Sequence, residues 1–144
     1  MNLNRAPQSE AQLSQWMTSY GDVIIRTCYL LSGDLDTAHF VTQRVFTTAY
    51  EEMASFYSQR EHAALPWLLR IALGTCPCRE ARPISRRSSL VDLIGALSPG
   101  ERKAFLLCLY HELSVPEAAW ILGQNEARVR RQLQAACRRF PDRA

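Results

Sequence analysis

The chain has 144 residues, 47% of them hydrophobic and 22% charged, with a formal net charge of +3. That composition is globular and excludes a disordered or fibrous protein. The length allows one ordinary domain or two very small ones. The longest apolar run, VIIRTCYLL, is broken by Arg26 and is too short to span a bilayer. The N-terminal stretch MNLNRAPQSE has no apolar stretch of a signal peptide, so a cytoplasmic protein without membrane insertion is expected.

Charge is unevenly spread. Residues 1–82 hold seven basic and eight acidic side chains, whereas 83–144 hold ten basic and six acidic. The excess is nearly all arginine, since Lys103 is the one lysine. A basic half beside a neutral half suits a nucleic-acid contact on one side only. Of the five cysteines, Cys28, Cys108 and Cys137 fall within helical patterns and read as small hydrophobes. Cys76 and Cys78 are too close together for a zinc knuckle, and no second pair follows at ligand spacing. No metal site and no cofactor is expected.

Taken in chain order, Ser9 with Gln12 reads as a capping box opening a first helix. Leu13, Trp16, Met17, Tyr20, Ile24, Cys28 and Leu31 form its apolar stripe, and Gly33 ends it. Asp34 or Asp36 caps a second helix with Ala38, Val41, Val45, Ala49 and Met53 inward, widened by Phe40, Phe46 and Tyr50. The polar segment 55–63, with its aromatic pair Phe56 and Tyr57, reads as a loop. Pro66 suits the first turn of a third helix carrying Trp67, Leu68, Ile71 and Ala72, weakened at its end by Gly74 and Pro77.

The stretch PISRRSS, 83–89, is the one linker-like segment. Beyond it Ser89 caps the short helix LVDLIGAL. Ser98 with Glu101 and Ser114 with Glu117 form two more capping boxes, each with a proline in the first turn. The helix after Ser98 runs through Phe105, Leu106 and Leu109, and Pro141 stops the last one. The expected class is all-α: a three-helix unit over 9–82, a linker over 83–89, and a four-helix unit over 90–140.

Within the last unit, AAWILGQNEARVRRQL has a helix-turn-helix spacing. Small Ala119 permits close helix approach, Gly123 supplies the turn, and Val129 locks the second helix onto the first. With Val129, Leu133 and Ala136 inward, Asn125 caps the second helix, and Glu126, Ala127, Arg130, Arg131 and Gln134 point outward. Arg128 and Arg138 flank that face. A major groove accepts one helix, and arginine reads guanine edges or pairs with phosphates. An ordinary helical hairpin with a solvated basic face is the alternative for this unit taken alone.

These residues bring out a family likeness. The chain resembles the extracytoplasmic-function (ECF) group of bacterial sigma factors over about residues 13–140. Gly33, Asp34, Ala38, Gln43 and Phe46 match their region 2 core, and PWLLRIA is similar to their promoter-opening helix. Leu97, Arg102, Ser114, Glu117, Ala119, Leu122, Gly123, Val129, Leu133 and Ala136 match region 4. The resemblance implies binding to core RNA polymerase through Phe40, Gln43, Arg44 and Phe46. It implies melting and reading of the −10 element by Phe56, Tyr57, Arg60, Arg79 and Arg82. Recognition of promoter DNA at −35 then falls to Asn125, Glu126, Ala127, Arg128, Arg130, Arg131, Gln134 and Arg138. Read as residues alone, Phe46 and Trp67 are plain core and Phe56 with Tyr57 are half-buried loop anchors.

Three departures from the family pattern support a second reading. His39, Phe40 and Arg44 stand where the family carries acidic residues beside the glutamine. LGTCPCREAR replaces the usual continuation of the third helix. The seven-residue tether spans at most ~25 Å, less than the ~34 Å of one DNA turn, so the halves are open to packing together. The second reading is a sigma-like decoy that binds an anti-sigma factor without touching promoter DNA, like the domain of that kind in general stress response regulators. An enzyme is not expected: the chain shows no paired carboxylates, no cysteine–histidine pair and no glycine-rich phosphate loop. His39, His62 and His111 read as surface or helix-end residues.

Overall fold

A computed structural model of the protein describes residues 5–59, 63–83 and 89–140. Among these residues the chain is helical with no strand. The helices are α1 (Arg5–Ser32), α2 (Leu35–Glu51), α3 (Met53–Gln59), α4 (Ala64–Thr75), α5 (Leu90–Ala96), α6 (Pro99–Phe105), α7 (Val115–Leu122) and α8 (Glu126–Arg139), with a π-helical turn at Leu106–Tyr110. The all-α expectation holds.

The punctuation residues act largely as their chemistry dictates. Gly33 takes φ 72 and closes α1. Asp34 then caps α2, its carboxylate accepting from the Thr37 backbone N–H at 2.9 Å and the Thr37 hydroxyl at 2.6 Å. Those two bonds hold the Asp34 carboxyl below the usual carboxylate range. Ser89 caps α5 reciprocally with Asp92. Ser98 and Ser114 each accept from the backbone N–H three residues on, but of the three sites only Ser89 has the return bond among the described contacts.

Four expectations are corrected. Helix α1 starts at Arg5, so Ser9 lies a turn inside it rather than at its cap. Segment 55–63 is not a loop throughout, because α3 carries the chain to Gln59. Burial is the reason: Met53 is 3% exposed, and the Phe56 ring packs 5.1 Å from both Trp16 and Trp67. Met53 and Phe56, spaced i, i+3, turn one face of α3 into the core, and the ring contacts with Trp16 and Trp67 outweigh the polar composition of the segment. The first half therefore has four helices, not three. Third, Met17 and Leu109 face solvent at 51% and 48% exposure. Leu109 sits in the π-helical turn, whose extra residue per turn rotates it off the stripe. Fourth, Phe40 is 60% exposed and Tyr50 36%, so neither widens the buried face of α2, and Cys137 is exposed rather than packed.

One continuous core holds both halves. Trp67, Leu69, Ala72 and Leu73 of α4 share it with Ala118, Ile121 and Val129 of α7 and α8, and Leu31 of α1 shares it with Ile94 and Leu107. At the seam the Arg102 guanidinium is 1% exposed. It donates to the carbonyls of Leu31 (2.8 Å), Ile94 (3.1 Å), Gly95 (3.1 Å) and Leu97 (2.8 Å). Among the described residues no carboxylate pairs with it, and four carbonyl dipoles replace its water. The seam also holds a Thr27–His111 hydrogen bond at 2.9 Å. The Arg82 backbone N–H donates to Gly95 at 2.9 Å. Arg70 of α4 lies 4.6 Å over the Trp120 ring of α7.

Candidate nucleic-acid interface

Helices α7 and α8 meet at a sharp turn built from three local devices. Gly123 is left-handed at φ 64. The N–H groups of Gly123 and Gln124 donate to the carbonyls of Trp120 (3.3 Å) and Ala119 (3.0 Å), closing α7. The Asn125 side chain accepts from the Arg128 N–H at 2.8 Å and opens α8. Ala119 is 7% exposed where the helices approach, and Val129 and Ala136 are fully buried. The expected bend at Gly123 is present.

The outer face of α8 follows from that packing. Asn125, Ala127, Arg128, Arg130, Arg131, Gln134 and Arg138 are exposed and Glu126 is half-buried. Positions 127, 130, 131, 134 and 138 lie on one side of the helix, opposite Val129 and Ala136. Arg130 and Arg131 are not packed against the first half. The neighbouring Arg139 is held by Glu101 at 2.6 Å and 3.2 Å, a two-point ion pair bracing α8 on α6.

The second set of predicted contacts is split. Phe56 is half-buried in the Trp16–Trp67 cluster, so its faces are not both open to a base. Tyr57 is 43% exposed and donates to Gln12 at 3.0 Å. Arg60 lies outside the described residues, as does His62. Arg79 and Arg82 are exposed but line a cleft of about 520 Å³ at the seam, with Tyr29, Asp92 and Arg102. The Arg79 N–H donates to Leu31 at 2.9 Å, and its guanidinium lies so close to Gly33 that a Cβ there would meet it at 2.8 Å. Tyr57 abuts α1 near Gln12 and Arg79 abuts it near Gly33. Twenty-one residues of helix separate those points by roughly 30 Å. The structure does not bring these residues into one site.

On α2, Phe40, Gln43 and Arg44 are exposed together on one face, and Phe46 is on the other side at 4% exposure. Phe46 is a core residue, and so is Trp67 at 7%. Among the described residues no group of histidine, cysteine, aspartate and glutamate is arranged to hold a metal ion. No described helix is long and apolar enough to cross a membrane. Two residues were not legible in advance. Arg102 stands between Glu101 and Lys103 like a surface residue, and no sequence signal marks it as buried. His111 ends the π-helical turn, where burial lowers its pKa to about 4.

Residues 87–140 match the family described as Sigma-70, region 4. The ECF RNA polymerase sigma factor BldN of Streptomyces coelicolor (strain ATCC BAA-471 / A3(2) / M145) is 25% identical over 175 aligned positions, which take in 99% of this chain. The chain resembles the ECF sigma factors. It spans 66% of the length of BldN, just under two thirds. Two solved structures share the fold. The sigma factor RpoE in complex with the anti-sigma factor NepR from Bartonella quintana aligns with TM-score 0.70 and 18% identity, covering 89% of this chain and 93% of that one. CnrH in complex with the cytosolic domain of CnrY aligns with TM-score 0.72 and 22% identity, covering 93% and 90%. The turn at Gly123 and the arginine face of α8 both lie within the matched region 4.

Proposed function

We propose that this chain acts as an ECF-type sigma factor: it binds core RNA polymerase, places it at a promoter and directs initiation, and it is not an enzyme. The observation that carries the reading is the arginine face of α8, standing free of the rest of the fold within a region 4 match. Region 4, over 90–140, sets α8 in the −35 major groove. There Arg128, Arg130, Arg131 and Arg138 meet phosphates or guanine edges, and Asn125, Glu126, Ala127 and Gln134 lie along the groove floor. The unit over 9–82 holds the polymerase through the exposed Phe40, Gln43 and Arg44 on α2. An aromatic side chain flanked by an amide and a cation suits a groove between partner helices. Tyr57, Arg79 and Arg82 are the remaining candidates for contact with the melted strand once the halves separate.

The closed seam favours a second partner. An anti-sigma factor that grips both halves in their packed arrangement would keep the chain from promoter DNA, and a decoy role would use that contact alone. Transcription reconstituted with purified chain and core polymerase tests the main reading. Promoter-specific transcripts are expected; a chain that binds an anti-sigma factor and yields no transcripts selects the decoy. The DNA contact has its own test in Arg130→Ala with Arg131→Ala. Affinity is expected to fall on all sequences, and the slope of log affinity against log salt to flatten by about 2. An unchanged slope removes α8 from the duplex.

A further inference from the structure

Two buried thiols lie close together inside the first half. Cys28 on α1 is 0% exposed, and Cys76, immediately after α4, is 6% exposed. The Cys76 thiol donates to the Cys28 carbonyl at 3.6 Å, and the two thiols lie within hydrogen-bonding reach of each other. The other three cysteines are placed differently. Cys78 accepts from the Arg102 guanidinium at 3.4 Å, Cys108 is half-buried on the second half, and Cys137 is exposed.

We propose that Cys28 and Cys76 are a reversible oxidation site, at which a hydroperoxide converts the paired thiols into a disulfide tying α1 to the end of α4. The chemistry balances in two steps. The Cys28 sulfur, the more readily ionised of the two, attacks one peroxide oxygen. The O–O bond breaks, hydroxide leaves and takes the thiol proton as water, and Cys28 becomes a sulfenic acid. The Cys76 sulfur then attacks the Cys28 sulfur, the S–O bond breaks, and hydroxide leaves with the Cys76 proton as a second water. One peroxide is reduced to two waters while two thiols lose two electrons. Hydrogen bonding from Cys76 holds the Cys28 thiol below its usual range, which suits it as the attacking sulfur, while the same contact and burial push Cys76 up. A reducing compartment keeps the pair as thiols, so the link forms only under oxidation. Its place matters to the seam. Two residues beyond Cys76 the chain reaches Arg102 through Cys78, and the Arg79 N–H donates to Leu31.

The site stands independently of the sigma-factor reading. The test uses the full chain carrying Cys78→Ser, Cys108→Ser and Cys137→Ser, treated with hydrogen peroxide and examined by intact mass and non-reducing peptide mapping. The expected result is a loss of two hydrogens, a linked peptide pair containing Cys28 and Cys76, and reversal by dithiothreitol. A rise in thermal midpoint of order 10 °C is expected to accompany the link. An unchanged mass, or added oxygen without a link, overturns the proposal. If the triple variant does not fold, differential alkylation of the unaltered chain answers the same question. Cys28 and Cys76 are expected to resist alkylation after peroxide and denaturation until dithiothreitol is added, and alkylation of both without it overturns the site.

Discussion

Helices α4 and α8 are both expected to meet DNA, yet the fold treats them oppositely. Helix α8 packs through Val129, Leu133 and Ala136 on one side and leaves Arg128, Arg130, Arg131 and Arg138 in solvent. Helix α4 buries Trp67, Leu68, Leu69, Ala72 and Leu73, is crossed by α7, and has Arg70 laid over Trp120. Under the proposed function a duplex can therefore reach α8 in this arrangement, while α4 is covered by the other half. The difference teaches that one packed fold leaves the polar face of α8 open to a partner while it closes α4 against the second half.

The largest expected effect breaks the seam itself. Arg102→Met keeps the bulk but leaves the Leu31, Ile94, Gly95 and Leu97 carbonyls without their donor. A loss of about 3 kcal/mol or more is expected in urea unfolding. A change under about 0.5 kcal/mol, within the ordinary range for surface substitutions, would mean that the guanidinium does not hold the halves together.

A middle effect sharpens the comparison through pH. Folded His111 titrates at about 4, below the ordinary value of about 6.5, because burial disfavours the charged ring. Its neutral form contributes stability that is fully present above about pH 6.5 and is lost as the pH falls toward 4. Between those limits wild type is expected to lose more stability than His111→Gln, measured by urea midpoints at each pH. Parallel curves would show that the ring is not desolvated at the seam.

The smallest effect is confined to the other region. Gly123→Ala meets nothing within 4 Å, so its cost is the left-handed backbone alone, about 1 kcal/mol. Global stability is expected to drop by that amount with the His111 pH dependence unchanged. A shift in the pH curve would couple the α7–α8 turn to the seam and undo the contrast between the two regions.

The exposed arginine face of α8 was legible because its determinants are local. Gly123, Asn125, Ala119 and Val129 lie within eleven residues, and a turn, a cap and a 3.6-residue period place the arginines without reference to the rest of the chain. The exposed positions on α2 were legible in part. Helical spacing groups Phe40, Gln43 and Arg44, but the same spacing does not tell an outward Phe40 from an inward Phe46 when both are large and apolar. The −10 set was not legible. Phe56 and Tyr57 were grouped with Arg79 and Arg82 through likeness to a family pattern, and the length of α1 sets them apart.

The sequence by itself determined an all-helical chain, the sites where most helices cap and break, and the basic face of the last helix, because each depends on neighbours a few residues away. Only the tertiary structure decided that α3 is a helix, that Arg102 is a buried cation and that Cys28 meets Cys76. Those outcomes rest on contacts between residues tens of positions apart, where the environment supplied by other helices outweighs what a side chain prefers alone.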